Sequence, residues 1–469
     1  MMTGIKWIRT AAALLIALAL SAGSPRPTAG APEAPITLTL WQGFKFEEVT
    51  VFEEIARGFE RTWLEKTGRP IRIESRRVPF DSMIPKIKTA ALARTTPDIA
   101  IVDALKVIDL AYGNVALPLD LVDGFPWSDI QTARSEFINA AFDSNVITVK
   151  GETHLYGLPA QTTCLALFWN KQLFQKFARE LTERGLSPDR PPRDWDEFIE
   201  YGKVLTKPEQ GIYAYAERNS LWFTFPFFNT FGAEFIEIGP DGKYRCVVDS
   251  PRARAAVAYK ADLWLKHRIE AGAWREGAKD ADQGFLNGSY AMCFNGPWNV
   301  EKFKSAGVDL GVGLIPRLSR RQAVELGLIA PGDGDDVYNR TITTSSNIGG
   351  QNAIVFRTTA HPEAALAFLV YFTSPAAQKI WAEKLGQIPV NLKAHENLDT
   401  SRFPEIRVFM EQIRFARRLP PLPLYGTLET DIFNPEMNLI LNGQKSVEDG
   451  LAAVKRRIEA EILTKVNEF

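Results

Sequence analysis

The sequence predicts an α/β protein of two lobes, and three observations carry that expectation. At 469 residues the chain is too long for one ordinary domain and suits two. Between Ile36 and Val102 it alternates strand, helix, strand, helix and strand patterns, which calls for parallel crossovers and a doubly wound sheet. Far downstream, Phe285–Asn299 reads as a turn, a buried strand and a sharp corner into a helix. The carboxyl ends of strands in such sheets are where ligands bind.

In Ile36–Trp41, Ile36, Leu38 and Leu40 alternate with Thr37, Thr39 and Trp41, the period of a strand. Gln42–Glu48 is a loop. Val49–Lys66 sets Phe52, Ile55, Phe59 and Trp63 at helical spacing, and Gly68 stops it. Ile71–Val78 is a strand, Asp81–Ala93 a helix and Asp98–Val102 a short strand. Parallel strands open their strand-to-helix loops on one edge, so Trp41, Gln42, Lys45 and Asp103 become candidate ligand contacts. The competing reading for Lys45 and Asp103 is a solvated charge.

Trp195–Val204 is an amphipathic helix. Asn219–Asn229 crowds aromatic residues around Pro226, and that proline is expected to exclude a regular helix interior. Asp241-Gly242 is a hairpin turn, and Asp249-Ser250-Pro251 is a cap-plus-proline helix start. Asn287-Gly288 is a turn pair, Ser289–Phe294 a buried strand, and Pro297 the first position of a helix through Val300 and Phe303. Trp298 then stands just past a strand end, either as a core residue or as a flat platform for a sugar ring. Arg317–Ile348, with its Pro-Gly-Asp-Gly-Asp-Asp run, reads as an irregular excursion near a hinge. Gly349-Gly350 lets backbone approach a ligand closely, and Gln351 adds a planar donor and acceptor. Pro362–Thr373 is a helix. Pro421–Asp431 is a Pro-rich loop holding Tyr425 and Glu429, followed by helices at Phe433–Leu441 and Val447–Leu463.

Composition narrows the function. The net charge of −1 becomes −3 once Lys6 and Arg9 leave with a leader, so there is no basic field for nucleic acid. Those two cations precede the apolar run Ala11–Leu20 and the small residues Ser21-Ala22-Gly23, the pattern of a secretory signal peptide over residues 1–23. The run is too short to span a bilayer. Residues 24–35 form a flexible lead-in, and with no cysteine near the cleavage zone no lipid anchor is expected. A periplasmic or otherwise extracytoplasmic location follows. Three widely spaced cysteines make no disulfide framework. No phosphate loop, zinc spacing or nucleophile-elbow motif occurs, so no metal or cofactor is expected. Carboxylates are plentiful, which leaves a glycosidase pair open.

Phe285-x-x-Gly288-x-x-Ala291-Met292-x-x-x-Gly296-Pro297-Trp298 resembles the strand–turn–helix of the extracellular solute-binding proteins that feed ABC sugar importers, the maltose-binding-protein-like family. Tyr156-Gly157-Leu158-Pro159, Gly349-Gly350 through Gly386-x-x-Pro389, and Asn442-Gly443-x-x-Ser446 agree with it in order. The resemblance implies a periplasmic-binding-protein fold with discontinuous α/β lobes and a hinge. The first lobe would take 35–160 plus 348–373, the second 161–316 plus 374–469, with 317–347 near the hinge. It implies a monomeric receptor, not an enzyme, that holds a sugar or oligosaccharide between the lobes and delivers it to a membrane permease. Trp222 matches the family's stacking aromatic, and Thr163 stands where sugar-binding relatives often carry an acid. Trp298 and Trp222 are thus expected to face Trp41, Asp103, Gly350 and Gln351. The rival readings are a secreted glycosidase or lyase, and a receptor for a non-sugar solute such as a glycerophosphate ester.

Overall fold

The computed structural model describes residues 34–418 and 422–467. The expected signal peptide and residues 24–33 of the lead-in lie outside them. Strand β1 (Ile36–Gln42), helix α1 (Phe46–Thr67), strand β2 (Ile71–Arg77), helix α2 (Phe80–Ala93) and strand β3 (Ile99–Asp103) follow in the expected order. β1 pairs in parallel with both β2 and β3. Helix α1 begins three residues ahead of the apolar periodicity because Glu48 turns back to accept the Lys45 N–H at 2.7 Å, capping the first turn from its side chain. It ends where Gly68 takes a left-handed conformation, with φ at 71°, and returns its N–H to Leu64.

The remaining principal strands are β4 (Leu158–Cys164), β5 (Ala166–Asn170), β6 (Tyr213–Ala216), β7 (Tyr290–Asn295), β8 (Leu310–Gly313), β9 (Ser346–Val355) and β10 (Ala416–Arg418). The first sheet has the order β10-β9-β3-β1-β2, with β4 also paired to β9; the second runs β8-β5-β7-β6. Only Leu165 separates β4 in one sheet from β5 in the other. Its N–H and C=O are both taken by one hydroxyl, Ser346 Oγ, at 3.0 and 2.8 Å. This crossover is a hinge strand pinned by the start of β9.

Each sheet is covered by its own core. Leu38, Phe52 and Phe59 meet Phe368, Phe372 and Trp381 in the first lobe; Trp195, Phe227 and Phe294 centre the second. Several sequence expectations change here. Pro375–Leu385 was assigned to the second lobe, yet its Trp381 is buried in the first core. β4 continues past residue 161 in the first sheet. The stretch 317–347 contains two short helices, Arg320–Glu325 and Asp335–Thr341, anchored by Ala323, Ile329 and Tyr338 in the second core. Pro226 sits inside helix α3 (Leu221–Thr230). Its missing N–H frees the Trp222 carbonyl, and the Asn347 side-chain amide donates to it at 3.2 Å. All three cysteines are buried and free.

The second lobe also buries charge. Lys260 Nζ lies 3.0 Å from Glu217 Oε1 and donates to Thr224 Oγ1 at 2.8 Å, with both charged side chains inaccessible to solvent. Next to them Glu270 accepts N–H groups from Glu217 at 2.9 Å and Ala273 at 3.1 Å, and from Gly272. Burial outweighs those donors and pushes its carboxyl up to about 7. Between its unfolded value near the ordinary carboxylate range and about 7, the folded state holds a proton that the unfolded chain has released. Glu270 therefore contributes stability at low pH that is lost as pH rises through that window. Glu270→Gln is expected to abolish that slope: the melting temperature of wild type relative to the variant should fall from pH 5 to pH 8. A constant difference would place Glu270 in the ionised form throughout.

Candidate functional site

A cavity of about 650 Å³ lies between the lobes. The first lobe brings Lys45 from the N-terminal cap of α1, Asp103 from the end of β3, Thr163 from β4, and Gly350 and Gln351 from β9. The second brings Trp222 from the first turn of α3, Trp298 from the turn after β7, and Tyr425 and Glu429. Tyr425 and Glu429 were expected on a loop. The chain from Tyr425 to Phe433 is instead helical, passing from a single α-turn into a wider π-helical turn, which puts residues four apart on one face.

Two expected contacts lie elsewhere. Trp41 points to the opposite side of β1, packs with the Met83–Ile87 side of α2 and carries Lys86 Nζ 4.5 Å above its ring. Gln42, 1% exposed, turns inward: its carbonyl accepts the Phe44 N–H at 2.7 Å and its amide reaches Ser75 at 3.2 Å. Strand alternation decides both, since β1 runs through Gln42 rather than stopping at Trp41.

Sequence reasoning missed Glu48, Gln161, Asp282, Asn299 and Lys302, all in the cavity wall. Gln161 had a signal, for it lies two residues before Thr163 on one face of a strand. Asn299 follows Trp298 directly. Asp282 had none, because its place depends on contacts far along the chain: Asn295 Nδ2 at 2.7 Å, Asn299 Nδ2 at 2.9 Å, and Arg218. Burial works against ionisation of Asp282, but Arg218 and these amides together hold its carboxyl below the usual range.

The two tryptophans are oriented by glycines. The ring of Trp298 lies against the Cα of Gly296, where any Cβ would overlap it, and the ring of Trp222 would meet a Cβ on Gly349 at 2.6 Å. Both rings are half-buried, with one side packed on the lobe. Beside them, Thr163 Oγ1, Gln351 Oε1 and Tyr425 Oη are buried with no hydrogen-bond partner among the described residues. Buried polar groups are nearly always paired, so three such atoms in one cavity mark it as a place for polar ligand groups. Asp103 and Glu429 share the wall. Burial raises both carboxyls, and the charge of Asp103 raises Glu429 further.

Lys45 links the lobes. Its Nζ donates to Trp298 O at 3.1 Å and to Asn299 Oδ1 at 3.0 Å. Burial lowers its ammonium, against the opposing pull of Glu48 and Asp282. Lys45→Met removes two cross-cleft bonds of roughly 1 kcal/mol each and is expected to open the ligand-free protein. Small-angle scattering should give a larger radius of gyration than wild type; an equal radius would mean the closed arrangement does not rest on this contact.

Residues 55–407 match the family described as bacterial extracellular solute-binding protein. The chain belongs to that family. Among curated members it is 21% identical over 457 residues to a galactooligosaccharide-binding protein of Bacillus subtilis, covering 96% of both chains. To a maltotriose-binding protein of Pyrococcus abyssi it is 23% identical over 317 residues, 66% of this chain and 60% of that one. Its fold matches the GacH receptor of Streptomyces glaucescens, a structure solved unliganded and in complex with acarbose, with a TM-score of 0.71 and 22% identity over 92% of this chain and 99% of that one. The two-lobed solute-binding fold expected from the sequence is therefore the fold of this chain. Among the described residues of this family member, no helix is long and apolar enough to cross a membrane.

Proposed function

We propose that this chain is an extracytoplasmic receptor that binds a sugar or oligosaccharide between its lobes and hands it unchanged, as a monomer, to the permease of an ABC importer. The observation that carries this reading is the joint placement of Trp222 and Trp298 with the unpartnered polar atoms of Thr163, Gln351 and Tyr425 around one cavity. Sugar rings present apolar C–H faces to aromatic planes and a rim of hydroxyls to amides, phenols and carboxylates. The cavity volume lies within the range of small-molecule sites, roughly 300–1,000 Å³. The named ligands of the relatives are oligosaccharides, which agrees. Export would follow from the N-terminal leader.

One observation keeps the enzyme reading in the test: Asp103 and Glu429 are two carboxylates with raised pKa in the same cavity, the raw material of a glycosidase. A thermal-shift screen against mono- and oligosaccharides, phosphorylated polyols and amines tests all of this. Ligand at a hundred times its dissociation constant should stabilise the fold by about 2.7 kcal/mol. Each stabilising sugar is then incubated and chromatographed. Intact recovery supports the receptor; steady breakdown would transfer the case to the hydrolase, and stabilisation by phosphorylated polyols alone would make it a receptor of another solute class.

A further inference from the structure

The acids of the cavity are not equivalent. Glu48 is satisfied by the Lys45 N–H at 2.7 Å, Gln387 Nε2 at 2.5 Å and Gln161 Nε2 at 3.3 Å. Asp282 is satisfied by Arg218, Asn295 and Asn299. Asp103, in contrast, receives one bond among the described residues, from the Leu105 N–H at 2.9 Å to Oδ1. Glu429 is held by backbone alone, with the Trp222 N–H 3.4 Å from Oε1. Among the described residues neither carboxylate forms an ion pair. The cation facing both is Lys106, and it is shared: its Nζ stands 5.3 Å from the centre of the Tyr425 ring. Two carboxylates thus confront one lysine at this end of the cavity. In the same wall Tyr425, 3% exposed, presents a hydroxyl with no partner among the described residues, and Trp222 presents its ring.

Burial raises both carboxyls, so facing a neutral ring in a water-poor space they are costly to ionise. A protonated amine on the ring offsets that cost. Its N–H groups donate to carboxylate oxygens in charge-assisted bonds, and its charge is attracted to the aromatic faces of Trp222 and Tyr425. We propose that the sugar carries a protonated amine, seated between Asp103 and Glu429, so that the natural ligand is an amino sugar or an oligosaccharide containing one. This rests on the receptor reading and narrows its substrate class.

Isothermal titration of the mature chain separates the two. The probes are di- and trisaccharides of glucosamine and galactosamine, their N-acetylated forms, the neutral glucose and galactose oligomers of equal length, and spermidine. The amine-bearing oligomers are expected to bind at least about tenfold more tightly than the acetylated and neutral ones. Asp103→Asn and Glu429→Gln should each erase most of that preference, the amine-bearing oligomers losing at least about tenfold more affinity than the neutral ones. Neutral or acetylated oligomers that bind as tightly as the amines would overturn the amine assignment and leave the receptor standing. Spermidine binding as tightly as the amino sugars would show a site for cations rather than sugars, and also overturn it. Failure of every carbohydrate to bind would remove both readings.

Discussion

Trp298→Ala is expected to weaken sugar binding by about 2 kcal/mol or more, the range of an interface hot spot, while the melting temperature stays close to wild type. The asymmetry follows from how the residue is held. Trp298 sits on the short helical turn that Pro297 starts after β7, and Gly296 behind it lets the ring lie flat against the backbone. The half-buried ring packs on the second-lobe core and also lines the cavity, so truncation removes an aromatic platform without emptying a core site. The cross-cleft bond from Lys45 goes to the Trp298 carbonyl, which alanine keeps, so closure is preserved. Titration with whichever sugar stabilises the protein decides it. Equal affinity for wild type and variant would make Trp298 a packing residue, and the stacking role would pass to Trp222.

How far the sequence disclosed this site depended on distance along the chain. β1, β2, β3 and their helices were legible because each is specified by its own periodicity and its own cap. The corner at Gly296-Pro297-Trp298 was legible for the same local reason. Trp41 and Gln42 were misplaced because the strand runs one residue further than its apolar pattern, and a single residue decides the face. The helix through Pro226 was hidden because its relief comes from Asn347, more than a hundred residues later. Asp282 and Gln161 became wall residues only when Asn299 and Gln387 folded onto them. The Pro-Gly-Asp-Gly-Asp-Asp run makes the stretch 317–347 read as an irregular loop, yet Ala323, Ile329 and Tyr338 help to dock it on the second core, and its charges mostly face water.

The second large effect is expected at Gly350. Gly350→Ala should cost about 3 kcal/mol or more of folding stability, near the upper end for a single substitution, and measurably lower the folded yield. Gly350 has φ at 140°, a region open in practice to glycine alone and costing another residue about 1–3 kcal/mol. A Cβ there would also overlap the carbonyl oxygen of Gln161 and lie 2.9 Å from the Cα of Thr162. Those atoms are backbone of β4, the strand that crosses between lobes, and they cannot swing aside as a side chain would. β9 cannot retreat either, because it is bonded to β3 on its other edge, and the β4–β9 register already shifts between Gln351 and Asn352. Relief would require parting β4 from β9, the ladder next to which Ser346 fixes the crossover. The neighbouring Gly349 gives the control. A Cβ there meets the ring of Trp222 rather than backbone, and its φ is not positive, so Gly349→Ala should displace the ring and weaken binding with a smaller loss of stability. Urea unfolding of both variants measures the difference. A Gly350→Ala midpoint equal to that of wild type would show that β4 and β9 yield at this point, and that the crossover is softer than its hydrogen bonds suggest.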